Sequence, residues 1–202
     1  MTIDKNDLLN SILASISRID YVKSTDIPNI DLYMDQVTSF MEKQLKSTKR
    51  YDDDKVLTKT MINNYAKNNL LPAPIKKKYS KEHLLLLTFI YYFKNILSMK
   101  DIEKLLEPIT EKYFQSDSNI NIAKIYDEVC SFEKERTKIL QKDIELMFHN
   151  SMETFTDADS EDQEYLQFFS LICSLSLDVY VKQLLIEKLI DTTCTDESTI
   201  QE

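Results

Sequence analysis

The sequence of 202 residues contains no glycine, where average usage predicts about fourteen. This absence excludes a glycine-rich phosphate loop, a G-x-G-x-x-G dinucleotide turn and a G-x-S-x-G nucleophile elbow. Each of those motifs needs a residue that tolerates positive φ or a close backbone approach. Two-residue β-hairpins, which favour Asn-Gly or Asp-Gly, are disfavoured for the same reason. The expected fold class is therefore all-α, mainly helical with a minimal β wing.

Cysteine and histidine are also scarce, with three and two copies. Cys130, Cys173 and Cys194 are widely spaced and form no C-x-x-C pair, which argues against a disulfide framework or a zinc site. The aspartates at 52–54 lack the spaced ligands of a calcium loop, so we interpret them as a solvated loop. Because no Ser/His/Asp arrangement is visible, we expect neither enzymatic activity nor a metal or other cofactor.

Long apolar runs are absent as well. The most apolar stretch, Tyr165 to Leu177, spans 13 residues, includes Gln167 and is followed by Asp178. We expect it to be too short to cross a bilayer. The N-terminus carries Asp4 and Asp7, where a signal peptide has basic residues. These features predict a cytoplasmic protein with no membrane contact.

The formal net charge of −9 hides a strong asymmetry along the chain. Residues 1–54 carry −3, residues 55–104 carry +7 with ten lysines, and residues 105–202 carry −13. We call residues 55–104 the basic island. A concentrated positive charge in an acidic chain indicates a polyanionic partner for that segment.

Apolar residues recur at helical spacing through most of the chain. The predicted helical segments are 8–22, 31–45, 61–67, 84–93, 99–106, 122–148 and 165–190. Pro108 is expected to close the fifth segment, because proline cannot donate the helical hydrogen bond. The last segment is apolar on more than one side, so we expect other helices or a partner subunit to cover it.

Polar residues mark the predicted helix ends in place of glycine. The candidate N-caps are Thr58 or Thr60, Ser80 and Ser98. His83 stands where a glutamate would complete a capping box with Ser80. Asn68-Asn69 follows the third segment, where a left-handed residue is expected and asparagine is the second choice after glycine.

The order of two helices, a basic extended stretch, a helix and a short helix fits a winged helix-turn-helix. Residues 61–72 (MINNYAKNNLLP) resemble the recognition-helix signature of MerR-type proteins, T-L-R-Y-Y-E-x-x-G-L-L-x-P. Tyr65 falls on the second tyrosine and Asn69 on the glycine. Asn63 and Asn64 replace the family's arginine and first tyrosine.

Two later segments extend this resemblance. Lys77-Lys78-Tyr79 resembles the R-x-Y of the MerR-type wing, and residues 98–106 resemble its S-L-x-E-I-x-x-L-L. The long dimerisation coiled coil of that family does not follow Pro108. The cysteine pattern of its metal-sensing members is missing.

Residues 30–37 (IDLYMDQV), 77–80 (KKYS) and Leu97-Ser98 resemble a second family more closely, the bacterial domain-of-unknown-function 1836 family. That family is itself similar to MerR-like winged helices, and the resemblance implies no activity. The resulting organisation is an N-terminal helix at 1–26 and a MerR-like winged helix-turn-helix at 27–108. A helical dimerisation or sensor region with a polar tail follows at 109–202.

The main functional hypothesis is a DNA-binding transcriptional regulator. Its recognition helix, about residues 60–67, is expected in the major groove and its basic wing, residues 75–79, on phosphates. The candidate DNA-binding residues are Lys59, Thr60, Asn63, Asn64, Lys67, Lys76, Lys77, Lys78 and Tyr79. Tyr79 stays open between phosphate contact and core. Expected core residues are Tyr65, Leu70, Leu71, Leu84 and Leu87.

Because one recognition helix reads only a few base pairs, we expect a homodimer through the C-terminal helices on double-stranded DNA. Two alternatives remain. A protein-interaction module would use the winged helix as a scaffold and the apolar 165–190 helix as its partner surface. RNA binding through the basic island is the other.

Overall fold

The computed structural model of the chain describes residues 4–17 and 21–194, which divide into two compact units. The larger unit contains residues 21–131 and 186–194, and the smaller unit contains residues 4–17 and 132–185. In chain order the elements are α1 (Lys5–Ser17), β1 (Leu32–Tyr33), α2 (Met34–Gln44), α3 (Lys59–Lys67), β2 (Lys78–Tyr79), α4 (Lys81–Phe93), α5 (Met99–Tyr113), α6 (Ile122–Cys130), α7 (Glu133–Met152) and α8 (Ser160–Thr193). The predicted class, mainly helical with a small β element, is confirmed.

Helix α4 forms the centre of the larger unit. The nine consecutive residues from His83 to Tyr91 are all buried, as expected for a helix that is apolar on every side. Around it lie buried residues from each neighbouring element: Val37 and Met41 of α2, Ile62 and Tyr65 of α3, Ile102 and Leu106 of α5, Tyr126 of α6 and Ile190 of α8. The predicted core positions Tyr65, Leu70, Leu71, Leu84 and Leu87 all belong to this core.

Side-chain caps start several of these helices. Thr58, not Thr60, caps α3, because its hydroxyl accepts a hydrogen bond from the Met61 nitrogen at 3.2 Å. The predicted Ser98 cap of α5 is confirmed by the same type of bond from the Asp101 nitrogen, also 3.2 Å long.

Pro108 does not close α5, contrary to the prediction. The helix runs through the proline to Tyr113, and Ile109, Tyr113 and Phe114 pack against the core of the larger unit. Burial of these side chains offsets the one helical hydrogen bond that proline cannot donate.

The predicted helix at 122–148 is two helices, α6 and α7. Helix α6 buries Ile122 and Tyr126 in the core of the larger unit, whereas Ile144 and Phe148 of α7 are buried in the smaller unit. Because the apolar faces of the two helices pack in different cores, the helix is interrupted between Cys130 and Glu133. The predicted helix at 8–22 and the predicted polar tail include residues 18–20 and 195–202, which lie outside the described residues.

The smaller unit has a small core, formed by Leu9 of α1, Phe148 of α7 and Leu171 of α8. A buried polar residue accompanies it. Gln167 donates hydrogen bonds to the carbonyl oxygens of Met152 (2.6 Å) and Thr154 (3.0 Å), and its own oxygen accepts one from Lys5. The buried amide is therefore satisfied.

Helix α8 extends the predicted apolar segment to 34 residues. The sequence prediction that its apolar stretch is too short to cross a bilayer is wrong, because the helical stretch Asp162–Thr193 is long and apolar enough to cross one, judged by length and composition. Length and composition alone do not place the helix in a membrane, but only 6% of its most apolar window is buried within the protein, unlike the core helix of a soluble protein.

Candidate nucleic-acid interface

Helix α3 presents one polar face and one buried face. Ile62 and Tyr65 point into the core. The exposed residues Thr60, Asn63, Asn64 and Lys67 recur at the three- and four-residue spacing of a single helix face. Hydrogen-bond donors and a positive charge are therefore available along the outer side of the helix that the sequence singles out.

The end of α3 depends on a left-handed asparagine, as predicted. Asn69 has a φ of 56°, and the Leu70 nitrogen donates to the Tyr65 carbonyl oxygen at 3.0 Å. This six-to-one bond belongs to a Schellman motif, in which glycine usually occupies the left-handed position. Leu70 and Leu71 then enter the core and anchor the segment that leads to the second strand.

A tight turn precedes that strand, and we call residues Ile75–Lys78 the wing turn. The Lys78 nitrogen donates to the Ile75 carbonyl oxygen at 2.9 Å, and the two residues form an isolated antiparallel bridge. Lys76 and Lys77 have φ values of 50° and 62°. Two positive φ angles across an i-to-i+3 hydrogen bond are characteristic of a type I′ turn, for which Asn-Gly is preferred. Such a turn forms here without glycine, contrary to the sequence expectation.

The wing turn holds its lysines outward on a strained backbone. Lys76 and Lys77 are both exposed. For an L-residue with a Cβ, the left-handed conformation costs about 1 to 2 kcal/mol. Gln115 and Phe155 also have positive φ, so this kind of strain is not particular to the wing turn.

Strand β2 pairs antiparallel with β1, so that Tyr33 faces Lys78 and Leu32 faces Tyr79. The Lys78 ammonium lies 5.3 Å from the centre of the exposed Tyr33 ring, a cation–π contact. Tyr79 points the other way and is only 3% exposed. Burial also raises the pKa of its hydroxyl. Tyr79 is therefore a core residue and is not exposed for contact with a phosphate.

Beneath this strand lies His83, which the sequence marks only as a helix-start residue. Its ring packs edge-on against Tyr79 and Phe114, at 5.5 and 4.8 Å between ring centres. Nδ1 accepts a hydrogen bond from the Ser80 nitrogen at 3.0 Å, which confirms the predicted pairing. Nε2 is buried and makes no hydrogen bond of good geometry within the described residues. Burial lowers the pKa of His83, although the carbonyl groups of Ala73 and Pro72 and the Asp31 carboxylate oppose this effect.

Some lysines of the basic island form ion pairs or hydrogen bonds within the protein. Lys59 forms an ion pair with Asp35 of α2, and Lys104 forms one with Asp191 at 3.3 Å. Lys94 donates to the Val56 carbonyl oxygen at 3.0 Å, and burial lowers its pKa. The sequence offers no local signal for these pairings, because the partners are far apart along the chain.

Helix α2 gives the site a common support. It packs against α3 and against both strands, and its buried residues Val37 and Met41 belong to the core of the larger unit.

The candidate residues that face solvent are Lys59, Thr60, Asn63, Asn64 and Lys67 on α3 and Lys76 and Lys77 on the wing turn, with Lys78 half-buried. Sequence reasoning missed Tyr33 and Asp35, which border these residues.

Comparison with known proteins matches the same part of the chain. A family model described as a domain of unknown function, DUF1836, covers residues 22–129. No curated protein and no solved structure is significantly similar to the chain. The matched residues include both strands and helices α2 to α5, and they make up more than half of the sequence. The chain therefore belongs to the DUF1836 family.

Proposed function

We propose that this protein is a DNA-binding transcriptional regulator, built as a MerR-like winged helix-turn-helix and acting in the cytoplasm. Helix α3 lies in the major groove, and Lys76 and Lys77 contact phosphates of the adjoining backbone. The observation that carries the proposal is the wing turn, where two exposed lysines occupy positions whose geometry favours Asn-Gly.

The polar face of α3 supports the same proposal. Asn63 and Asn64 are exposed, and an asparagine amide is able to bind adenine through two hydrogen bonds. Lys67 adds a charge toward the helix C-terminus, where it contacts a phosphate. Lys59, which is paired with Asp35, makes a weaker contribution than its position in the sequence predicts.

The regulator is proposed to act as a homodimer through its C-terminal helices. Two recognition helices then meet two half-sites on double-stranded DNA, and the specificity of one short helix is doubled. The acidic C-terminal half, at −13, keeps non-specific DNA attraction away from the other faces.

A second candidate function is a protein-interaction module. It is favoured by the exposed apolar side chains of α8, which include Tyr165, Phe169 and Ile172 at 51–70% exposure. In that case the winged helix serves as a scaffold, and the polar face of α3 needs no ligand.

The test measures binding of the full-length protein to fragmented genomic DNA by fluorescence anisotropy across a salt series. We expect binding that weakens with salt. The double variant Lys76→Glu/Lys77→Glu should lose most of the affinity and reduce the slope of log K against log salt by about two. The control variant Lys138→Glu/Lys142→Glu makes the same charge change at exposed positions of α7 and should bind like wild type.

Two results would contradict the proposal. Wild-type protein that shows no salt-dependent DNA binding favours the interaction module. A clear preference for single-stranded or duplex RNA over the same DNA sequences would indicate that RNA is the ligand.

A further inference from the structure

The outer face of the two-stranded ribbon carries a row of three side chains. In antiparallel pairing, residues that are directly opposite each other project from the same face. Lys78 is opposite Tyr33 of β1 and also opposite Ile75 across the wing turn. Ile75, Lys78 and Tyr33 therefore lie side by side, and we call them the outer row. Leu32 and Tyr79 project from the other face and are buried.

The two ends of the outer row are apolar and exposed to solvent. Ile75 is 57% exposed and Tyr33 is 54% exposed. Single exposed apolar side chains are common on protein surfaces, but here two of them flank one lysine. The ammonium group of that lysine, Lys78, lies 5.3 Å from the centre of the Tyr33 ring. The row thus presents apolar surface on both sides of one positive charge.

More positive charge lies beside the outer row. Lys76 and Lys77 are exposed at the tip of the wing turn. The acidic residues nearest to Tyr33 in the sequence are Asp31 and Asp35, and Asp35 is already in an ion pair. Such a surface is complementary to a ligand with negative charges next to apolar rings. Duplex DNA has this composition along its minor groove, where phosphates border deoxyribose rings and base edges.

We propose that the outer row packs against the deoxyribose rings and base edges of the minor groove, beside the phosphates that Lys76 and Lys77 contact. This inference rests on the proposed function and adds to it a contact that does not depend on charge. Proteins that bind the minor groove place apolar side chains in it in this way. The outer row then supplies affinity that salt does not screen, whereas the lysines supply the salt-dependent part.

The salt dependence of DNA binding separates the two contributions. Full-length protein is titrated with duplex DNA by fluorescence anisotropy from low to high salt. We expect Tyr33→Ala to weaken binding roughly tenfold at every salt concentration, because an aromatic contact is lost and no charge changes. The slope of log K against log salt should stay that of wild type. Tyr33→Phe keeps the ring and should bind nearly as tightly as wild type.

A second variant makes the test independent of α2, which begins directly after Tyr33. Ile75→Ala, at the other end of the row, should also weaken binding without a change of slope, by a smaller factor. The matched control is Tyr51→Ala. Tyr51 is 58% exposed and lies 5.2 Å from the Arg50 guanidinium, but the aspartates at 52–54 follow it and repel a polyanion. This control should bind DNA like wild type.

Inorganic polyphosphate, which has neither sugar rings nor bases, tests whether the Tyr33 ring contacts DNA itself. Tyr33→Ala should bind polyphosphate as tightly as wild type does. An equal loss of affinity for polyphosphate and for DNA would show that Tyr33 only holds Lys78 in position, and it overturns the proposal. A variant that changes the slope and leaves the affinity at high salt unchanged overturns it as well.

Failure of this inference is distinct from failure of the proposed function. If wild type binds DNA with salt dependence and both Tyr33→Ala and Ile75→Ala bind equally well, the outer row has no contact with DNA. The winged-helix assignment then stays in place. Wild type that does not bind DNA at all overturns both.

Discussion

The backbone nitrogen of Ser80 donates a 3.0 Å hydrogen bond to Nδ1 of His83, so one imidazole closes the start of α4 beneath strand β2. This bond assigns the neutral tautomer, because an Nδ1 that carries a proton has no lone pair for the Ser80 N–H. The ring is buried between Tyr79 and Phe114. Strand β2 of the candidate interface therefore packs on His83, a titratable residue that is buried from solvent.

The first prediction concerns stability in mild acid. Burial lowers the pKa of His83 in the folded protein, so the unfolded chain takes up this proton at a higher pH. The stability that neutral His83 contributes is complete above the unfolded pKa and is lost as pH falls through the folded pKa. Urea unfolding followed from about pH 7.5 to 5.5 should show the loss, at no more than about 1.4 kcal/mol per pH unit for this group.

The variant His83→Gln keeps a side-chain acceptor at the capping position and should flatten this dependence. The matched control is His149→Gln, which changes the chain's other histidine at an exposed position. An equal flattening by both variants would show that His83 is not the group responsible.

The second prediction separates stability from binding at the wing turn. The double variant Lys76→Asn/Lys77→Gly supplies the residues that a type I′ turn prefers, so the free energy of unfolding should rise by about 1 kcal/mol or more. Its DNA affinity should fall, because two phosphate contacts are lost. Urea denaturation and anisotropy on the same preparations measure both effects.

The control for this variant is Lys55→Gly, at an exposed loop position that lacks a positive φ. It should give no gain in stability, since glycine there only adds freedom to the unfolded chain. If the double variant binds DNA as well as wild type, the strained lysines have no role in the proposed contact.

The third prediction uses the ion pair between Lys59 and Asp35. The variant Asp35→Asn should free Lys59 to contact a phosphate and should raise the DNA affinity. The slope of log K against log salt should steepen by about one. Loss of an acidic residue from the first turn of α2 should cost about 0.3 to 1 kcal/mol of stability. Salt titrations of Asp35→Asn beside Asp53→Asn, an exposed loop aspartate, provide the measurement. Equal affinities for the two variants would place Lys59 away from the DNA.

Local signals in the sequence were sufficient for several features. Asn69 at the end of α3, the Ser98 cap and the pairing of Ser80 with His83 each depend on residues within a few positions of one another. Helical spacing likewise identified α3, with Tyr65 in the core. Interactions of this range are encoded directly in residue type and spacing.

Other features depend on packing partners that the local pattern does not contain. Helix α5 continues through Pro108 because its last turn meets the core, and the 122–148 segment divides because its two halves face different cores. The left-handed lysines of the wing turn accompany the bridge between Ile75 and Lys78, which closes the chain over two residues that are not glycine. Sequence periodicity does not report such constraints.

The burial of Ile190, at 3% exposure, in the core of the larger unit has a consequence for synthesis on the ribosome. That core combines residues 21–131 with residues 186–194, so its sequence is discontinuous. The proposed DNA-binding elements emerge first, but the core beneath them lacks a side chain until Ile190, much later in the sequence, has left the exit tunnel. Completion of the larger unit is thereby tied to completion of α8, and a chain truncated before that helix leaves the same core open.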